Sequence, residues 1–461
     1  MEAFECRGKW NLHHSNEKYI EGILKFDPVN GGQLFLRKSV KSKYDIIDGQ
    51  GDNGTVYTLI GCIYRSTRVL INKDKKTAYH IYDVARIIKD QKLNGIDKIK
   101  FSLIRVNFLH LPEWLGMLDP YSLENQTISP SITSITLYNY TFKLILDSNI
   151  TRDLGNNDRN IETKKGTWIL IEPPQTKSLE ECISIIEKVQ EFLTFSTSHY
   201  NIPLAVKASF KKENLDSDVQ IYYKLGYWDS SYFTPTNNIM LLTYNDILES
   251  FENLESFFRI WINTEDELHI VFDLYIMNLV NQYISEDLRF LNLVRALESF
   301  HRIRFPNDLE RNPEDHKKRI DYILSSIGDE KIQRWLERKL KRSNDPNLQA
   351  RLIKLTKNDK LMKSKFFYDD NTLNFLTEII PGRRNYLAHL NQNNKYKNLR
   401  RDDIVIINGI MRRVLEVLLL RDLHIEEKVI EKVISRNLQA KPIFYSVEKY
   451  KEKIDELLEK L

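Results

Sequence analysis

The hydrophobic pattern of this 461-residue chain changes its period near residue 240, and that change restricts the folds open to it. Before it, apolar residues come in short β-branched or aromatic runs separated by turn residues. After it, they recur at three- and four-residue spacing. A helix-period pattern does not settle as a strand, nor the reverse. The chain therefore reads as α+β: a β-rich N-terminal domain followed by an all-α helical bundle. Its length also exceeds what one ordinary core holds, which implies two or three domains.

The β-like runs are Gly22–Phe26, Gln33–Leu36, Thr55–Ile60, Lys100–Val106, Ser134–Tyr138 and Thr167–Ile171, then Ala205–Phe210 and Val219–Leu225. Turn chemistry divides them at Asp27–Gly32, Asp52–Gly54 and Leu154–Asp158. One helix interrupts the series near 178–199. Ser178 suits its N-cap, Glu180 and Glu181 its first turn, and Ile183, Ile186, Val189, Phe192 and Leu193 its apolar stripe. After residue 240, helices are predicted at 245–261 and beyond a capping box at Thr264–Glu267. Ser285 caps the next, with Leu288, Leu291, Val294 (or Arg295), Leu297 and Phe300 at helical spacing. Further helices are predicted at 313–327, 329–342, 347–358, 371–380, 384–393, 402–423, 425–437 and 446–461. The expected domains are 1–240, β-rich; 241–284, connecting helices; and 285–461, helical, with a core at about 285–425.

The formal net charge is only +4, but residues 301–461 hold 35 Lys+Arg against 25 Asp+Glu. The helical third is thus the basic one, and the better place for a polyanion. Cys6, Cys62 and Cys182 are too scattered for a disulfide framework or a CxxC metal site, so a reducing compartment is expected. The start of the chain lacks the basic and apolar regions of a signal peptide. The most apolar window, Leu268–Val280, is too short to span a bilayer and contains Asp273. A cytoplasmic protein without membrane, metal or cofactor is expected.

Gly49-x-Gly51-x-x-Gly54 matches a dinucleotide-binding pattern, but that chemistry needs a helix after the loop and Thr55–Ile60 reads as a strand. It is expected to be a hairpin turn. His13 and His14 sit in a polar stretch that is not expected to bind metal. The spacing Arg-x4-His occurs three times. Arg105 and His110 lie on a strand, on opposite faces and about 17 Å apart. Arg311 and His316 flank Pro313, Glu314 and Asp315, a helix start whose acids repel phosphate. Arg384 and His389 have no acid nearby. Pro381-Gly382 is expected to end one helix, and a new one to begin near Arg384. Asn385 and His389 then share a face, and the new N-terminus favours an anion. A cation, a carboxamide and an imidazole that titrates near neutral pH can together hold a phosphate and move its protons.

Arg384–His389 resembles the Arg-polar-x-x-x-His signature of the HEPN superfamily, whose fold is a helical bundle. The stretch Leu293–Arg302 resembles the first core helix of ApeA-type HEPN domains. Phe4–Leu12 and Gly22–Leu36 are similar to the β-rich N-terminal domain of ApeA-like anti-phage proteins. The residue after the motif histidine, often small in the family, is Leu390 here.

The resemblance implies a metal-independent endoribonuclease that acts as a homodimer or higher homo-oligomer, with Arg384, Asn385 and His389 as the catalytic set. The substrate's own 2′-hydroxyl would attack the phosphorus. A phage component, such as a capsid protein, would trigger the β-rich domain, and the helical domain would cleave host RNA such as tRNA. Glu298 and Arg295, one turn apart, either support the site or form a surface ion pair. Arg311–Lys365 holds 16 Lys+Arg against 8 Asp+Glu. Within it Arg334, Arg338, Lys339, Lys341 and Arg342, with Trp335 for stacking, suit an RNA backbone or simply a solvated helix face. Arg383 is placed with these RNA-binding cations. A polar segment, Asn391–Asn398, is a candidate gate. The alternatives are a non-catalytic HEPN module that binds RNA or protein, and a ligand-binding β domain with aromatic strands around Tyr222, Tyr223, Tyr227 and Trp228.

Overall fold

The computed structural model describes residues 1–12, 19–37, 43–72, 75–93, 99–116, 134–137, 140–147, 166–210, 218–225, 240–281, 283–367, 369–390, 395–439 and 447–460. His13, His14, the turn Leu154–Asp158, and Tyr227 and Trp228 lie outside these residues. The chain divides into two compact units, Met1–Arg259 and Ile260–Leu461.

The first unit opens with β1 (Phe4–Leu12), β2 (Ile20–Asp27), β3 (Gly31–Leu36), β4 (Tyr44–Gly51), β5 (Val56–Asn72) and β6 (Lys75–Lys89). They pair antiparallel in the order β3-β2-β1-β4-β5-β6, and β6 returns to β3 with Gly32 opposite Val84 and Leu36 opposite His80. The sheet closes into a barrel. Alternation supplies the interior: Cys6, Trp10 and Leu12 of β1 point in, as do Ile20, Leu24 and Phe26 of β2. Closure also satisfies edges that would otherwise recruit other chains.

The three glycines of the Gly49-x-Gly51-x-x-Gly54 pattern serve this barrel. Gly49 lies opposite Trp10, and a Cβ there would stand 2.1 Å from the indole. A Cβ on Gly51 would meet the Cys6 sulfur at 2.4 Å. Gly54 turns the β4–β5 hairpin at φ +83°. The expected hairpin is present, with Gln50 paired to Val56.

Beyond Arg86, β6 pairs with a second run of strands. These are β7 (Lys100–Phe101), β8 (Leu103–Phe108), β9 (Ser134–Leu137), β10 (Tyr140–Asp147), β11 (Gly166–Glu172), β12 (Lys177–Ser178), β13 (Pro203–Ser209) and β14 (Val219–Tyr223). The sheet continues from β6 as β14-β13-β8-β11-β10-β9, while β7 and β12 pair separately. Helix α1 (Leu111–Trp114) is short. Helix α2 (Leu179–Thr197) starts at the expected N-cap Ser178, which forms a capping box with Glu181, and buries the expected stripe Ile183, Ile186, Val189, Phe192 and Leu193. Helix α3 (Tyr244–Ser250) is capped by Thr243.

The unit boundary falls inside α4 (Leu254–Val280). The expected helix start at Thr264 is not present. Thr264 is buried inside α4, whose apolar residues Phe257, Trp261, Leu268, Val271, Phe272 and Tyr275 carry the helix through. Burial of this stripe outweighs the local capping signal, and the irregularity moves to Leu268, at φ −108° and ψ 19°.

The second unit continues with α5 (Glu286–Arg304), α6 (Pro313–Ser325), α7 (Glu330–Leu340), α8 (Leu348–Thr356) and α9 (Lys360–Lys365). After these come α10 (Asp370–His389), α11 (Arg401–Asp422), α12 (Glu427–Gln439) and α13 (Val447–Lys460). Helix α11 is the centre: Ile404, Ile407, Met411, Val414, Leu415, Leu418 and Leu419 are buried around much of its circumference, as a helix surrounded by others requires. Helix α5 packs on it through Phe290, Leu293, Val294 and Leu297, and α8 and α10 pack beside α5. The helical pair α6–α7 has no buried residue in either helix. The architecture is the expected α+β one, a β-rich region with a closed barrel followed by a helical region. Among the described residues no helix is long and apolar enough to cross a membrane.

Gly49→Ala should lower unfolding stability by about 1–3 kcal/mol, the cost of overpacking a tight core. Gly54→Ala has open space around its Cβ and should cost only the roughly 1 kcal/mol of a left-handed backbone. Urea denaturation checks the order, and the reverse order would contradict the packing role.

Candidate active site

The motif lies on α10. Asp369 caps this helix by accepting from the Thr372 N–H at 2.6 Å, and Leu373, Leu376, Ile379 and Ile380 bury its inner face. The helix does not end at Pro381. Proline has no N–H for the Thr377 carbonyl, a loss worth about 3 kcal/mol in a helix interior. The residues that follow hold the helix together. Tyr396, from a short 3-10 turn at Lys395–Asn398, lays its ring on Gly382, where a Cβ would stand 2.0 Å away, and its hydroxyl donates to Glu378 at 2.6 Å.

Helix α10 therefore runs unbroken to His389, which corrects the expectation of a new helix at Arg384. Arg384, Asn385 and His389 occupy the C-terminal end of a helix. The dipole there opposes an anion, so any phosphate must be held by side-chain cations.

The two consecutive arginines differ completely. Arg383 is 5% exposed. Its Nη1 donates to the carbonyls of Tyr396 and Lys397 at 2.9 and 3.1 Å, and its Nη2 to Asp287 on α5 at 2.9 Å. Tyr386 lies beneath its guanidinium at 5.0 Å. The placement of Arg383 with the RNA-binding cations is thus corrected: its charge is spent on joining α10 to α5 and to the turn after the motif.

Arg384, about 100° further round the helix, is exposed, and its Nη1 donates to Asn385 Oδ1 at 3.3 Å. Asn385 and His389 are also exposed and share a face at i and i+4. The structure thus brings the three residues together on one solvent-facing helix end. Leu390 caps the helix at φ +49° and is 65% exposed.

Glu298 does not reach this end of α5. It lies eleven residues beyond Asp287, about 16 Å along the helix, and accepts from Arg302 at 2.9 Å. Arg295 is exposed. The expected Arg295–Glu298 pair is thus replaced by Glu298–Arg302. Arg334, Arg338 and Lys339 on α7, and Lys341 and Arg342 in the turn after it, are all exposed, as is Trp335 at 52%. Arg334 pairs with Glu330 at 3.1 Å.

The other Arg-x4-His copies have structural partners. Arg105 pairs with Asp218 at 3.0 Å and His110 is buried, where burial and the nearby His199 push it down to about 4. Arg311 and His316 flank the start of α6, capped by Asn312. Of the expected gate, 391–394 lie outside the described residues, and Lys395–Asn398 is pinned to α10 by Arg383 and Tyr396. Among the described residues no three His, Cys, Asp or Glu side chains form a metal-holding group.

Sequence reasoning missed the residues that position the motif: Asp287, Glu378, Gly382 and Tyr396. Asp287 looks like any acid in a helix first turn. The glycine after Pro381 was the available signal, because a glycine inside an apolar helix often marks a close approach.

Residues 5–257, more than half of the chain, match the family model of ApeA N-terminal domain 1, and residues 291–429 match that of the Apea-like HEPN domain. The chain belongs to the ApeA-like family, with a C-terminal HEPN domain. HEPN domains are generally of the ribonuclease type, commonly bind RNA and oligomerise. This membership places the chain with nuclease-type anti-phage effectors. No curated protein and no solved structure was found to match it.

Arg383→Ala should cost roughly 2–4 kcal/mol, because it leaves two carbonyls and a carboxylate without their charged donor. Arg384→Ala should stay within about 0.5 kcal/mol, as exposed substitutions do. Chemical denaturation measures both, and equal losses would contradict the opposite burial of these neighbours.

Proposed function

We propose that this protein is a metal-independent RNA endonuclease of anti-phage defence. The observation that carries the reading is the exposed set Arg384, Asn385 and His389 at one helix end, inside the segment that matches a HEPN domain. In this reading Arg384 holds the scissile phosphate and stabilises its growing charge. His389 takes the proton of the 2′-hydroxyl, whose oxygen bonds to phosphorus. The bond from phosphorus to the 5′-oxygen breaks, and a proton returns to that oxygen. Asn385 orients the imidazole or the phosphate. The products are a 2′,3′-cyclic phosphate and a 5′-hydroxyl.

One imidazole cannot easily serve both oxygens at once, and a helix C-terminus gives an anion no help. Both limits are relieved by a second copy of the chain, whose Arg384 and His389 face the first pair. The site is then composite and the working form a homodimer or larger. The exposed cations of α7 hold the RNA backbone and Trp335 stacks on a base. The β-rich unit senses a phage component, such as a capsid protein, and the target is host RNA such as tRNA. The setting is the cytoplasm, and the outcome is abortive infection.

The test incubates total RNA with full-length wild type and His389→Ala, with and without chelator and phage lysate. Wild type should cleave when triggered, and chelator should change nothing. His389→Ala should lose about 10²–10⁴-fold in rate. Cleavage that survives in His389→Ala overturns the site, and loss of cleavage with chelator overturns the metal-free chemistry. No cleavage under any trigger favours a HEPN module that only binds.

A further inference from the structure

Within the helical unit, α4, α5 and α11 enclose a cavity of about 210 Å³ that opens to solvent beside Val405 and Gly409. Its lining is not that of a packing defect. Three arginines line it, Arg289, Arg412 and Arg413, together with Asn278, Glu286 and Asn408.

The charges around the cavity do not balance. Behind it Glu416, fully buried, accepts from the Tyr275 hydroxyl at 2.6 Å, from Arg412 Nε at 2.8 Å and from Arg413 Nη1. Burial alone would raise the Glu416 carboxyl, but the Arg413 and Arg412 charges outweigh it and hold the group below its ordinary range. One carboxylate thus serves two guanidiniums. Arg289 closes the end of α4 by donating to the Asn278 carbonyl, and its Nε is 3.6 Å from Glu286. Three positive charges stand against two negative ones in a largely buried place.

The hydrogen bonds are incomplete as well. Asn408 is 4% exposed, and its Nδ2 donates to Glu286, to the carbonyl at 3.0 Å and to the carboxylate at 2.9 Å. Its Oδ1, however, is buried with no hydrogen-bond partner. A buried acceptor left unpaired is costly, so the site calls for a donor as well as an anion.

We propose that this cavity binds a small sugar phosphate. Its phosphate meets the excess charge at Arg412 and Arg413, and its hydroxyls donate to Asn408 Oδ1 and the Glu286 carboxylate. A cavity of about 150 Å³ holds a benzene ring, so this one suits a phosphorylated pentose rather than a nucleoside triphosphate. Glu286 on the rim also repels a ligand of higher negative charge. The site is separate from the motif, although Glu286 adjoins Asp287, the anchor of Arg383.

The test is calorimetric titration of the full-length chain with ribose 5-phosphate, inorganic phosphate and ribose at fixed ionic strength. Ribose 5-phosphate should bind saturably, once per chain, at least about tenfold tighter than inorganic phosphate, and ribose should not bind. Val405→Phe and Gly409→Val place new atoms in the mouth of the cavity, on partly exposed positions of α11. Each should weaken ribose 5-phosphate at least about tenfold while the unliganded melting temperature stays close to wild type, and Arg384→Ala should bind as wild type does. Absence of saturable binding, or undiminished binding in a folded Val405→Phe or Gly409→Val, overturns the proposal. Loss in Arg384→Ala also overturns it by moving the anion to the motif. RNA cleavage does not enter this measurement, so this proposal and the ribonuclease reading fail separately.

Discussion

One buried guanidinium organises the motif end of the helical unit. Arg383 holds two carbonyls of the turn after the motif and a carboxylate of α5, and Tyr386 covers it. A charge taken out of water must be matched by partners fixed in place. Those partners fix three pieces of chain at once: the end of α10, the first turn of α5 and the segment leading to α11. Tyr396 completes the joint by occupying the space that Gly382 leaves open. With Arg383 turned inward, the next residue along the helix must face out, and Arg384 is thereby presented to solvent with Asn385 and His389.

This arrangement explains what was legible and what was not. Helix α2 was readable because its cap, first-turn acids and apolar stripe agree, and α10's chemistry was readable as a set of residue types. The continuity of α10 through Pro381 was not. Local rules end a helix there, and only distant residues, Tyr396 and the partners of Arg383, carry it on. Nor could the sequence separate Arg383 from Arg384, since identical neighbours 100° apart differ only in what the fold sets beside them. Strands β4 and β6 went unrecognised for a similar reason: β4 buries both faces over Ile46–Gly49, so its alternation is lost, and β6 begins in a lysine-rich stretch.

Two other patterns yield to the same logic. Gly49, Gly51 and Gly54 match a phosphate-binding pattern, yet each is accounted for by Trp10, Cys6 or a turn. Arg105 and Arg311 match the spacing of the motif, yet their settings are a half-buried ion pair and a capped helix start. Short patterns acquire meaning from what surrounds them. For Arg384 and His389 the surroundings are solvent, an exposed amide and a helix end, which leaves both side chains open to an external group.

The proposed chemistry is tested most directly by the ends of cleaved RNA. Attack by the 2′-hydroxyl leaves a 5′-hydroxyl, labelled by a polynucleotide kinase without prior phosphatase treatment, and a 2′,3′-cyclic phosphate or its hydrolysis product opposite. Those ends, made by wild type and absent with His389→Ala, are the predicted result. Fragments with 5′-phosphate and 3′-hydroxyl ends would contradict the account, because they require an activated water or metal-bound nucleophile in place of the substrate's own hydroxyl.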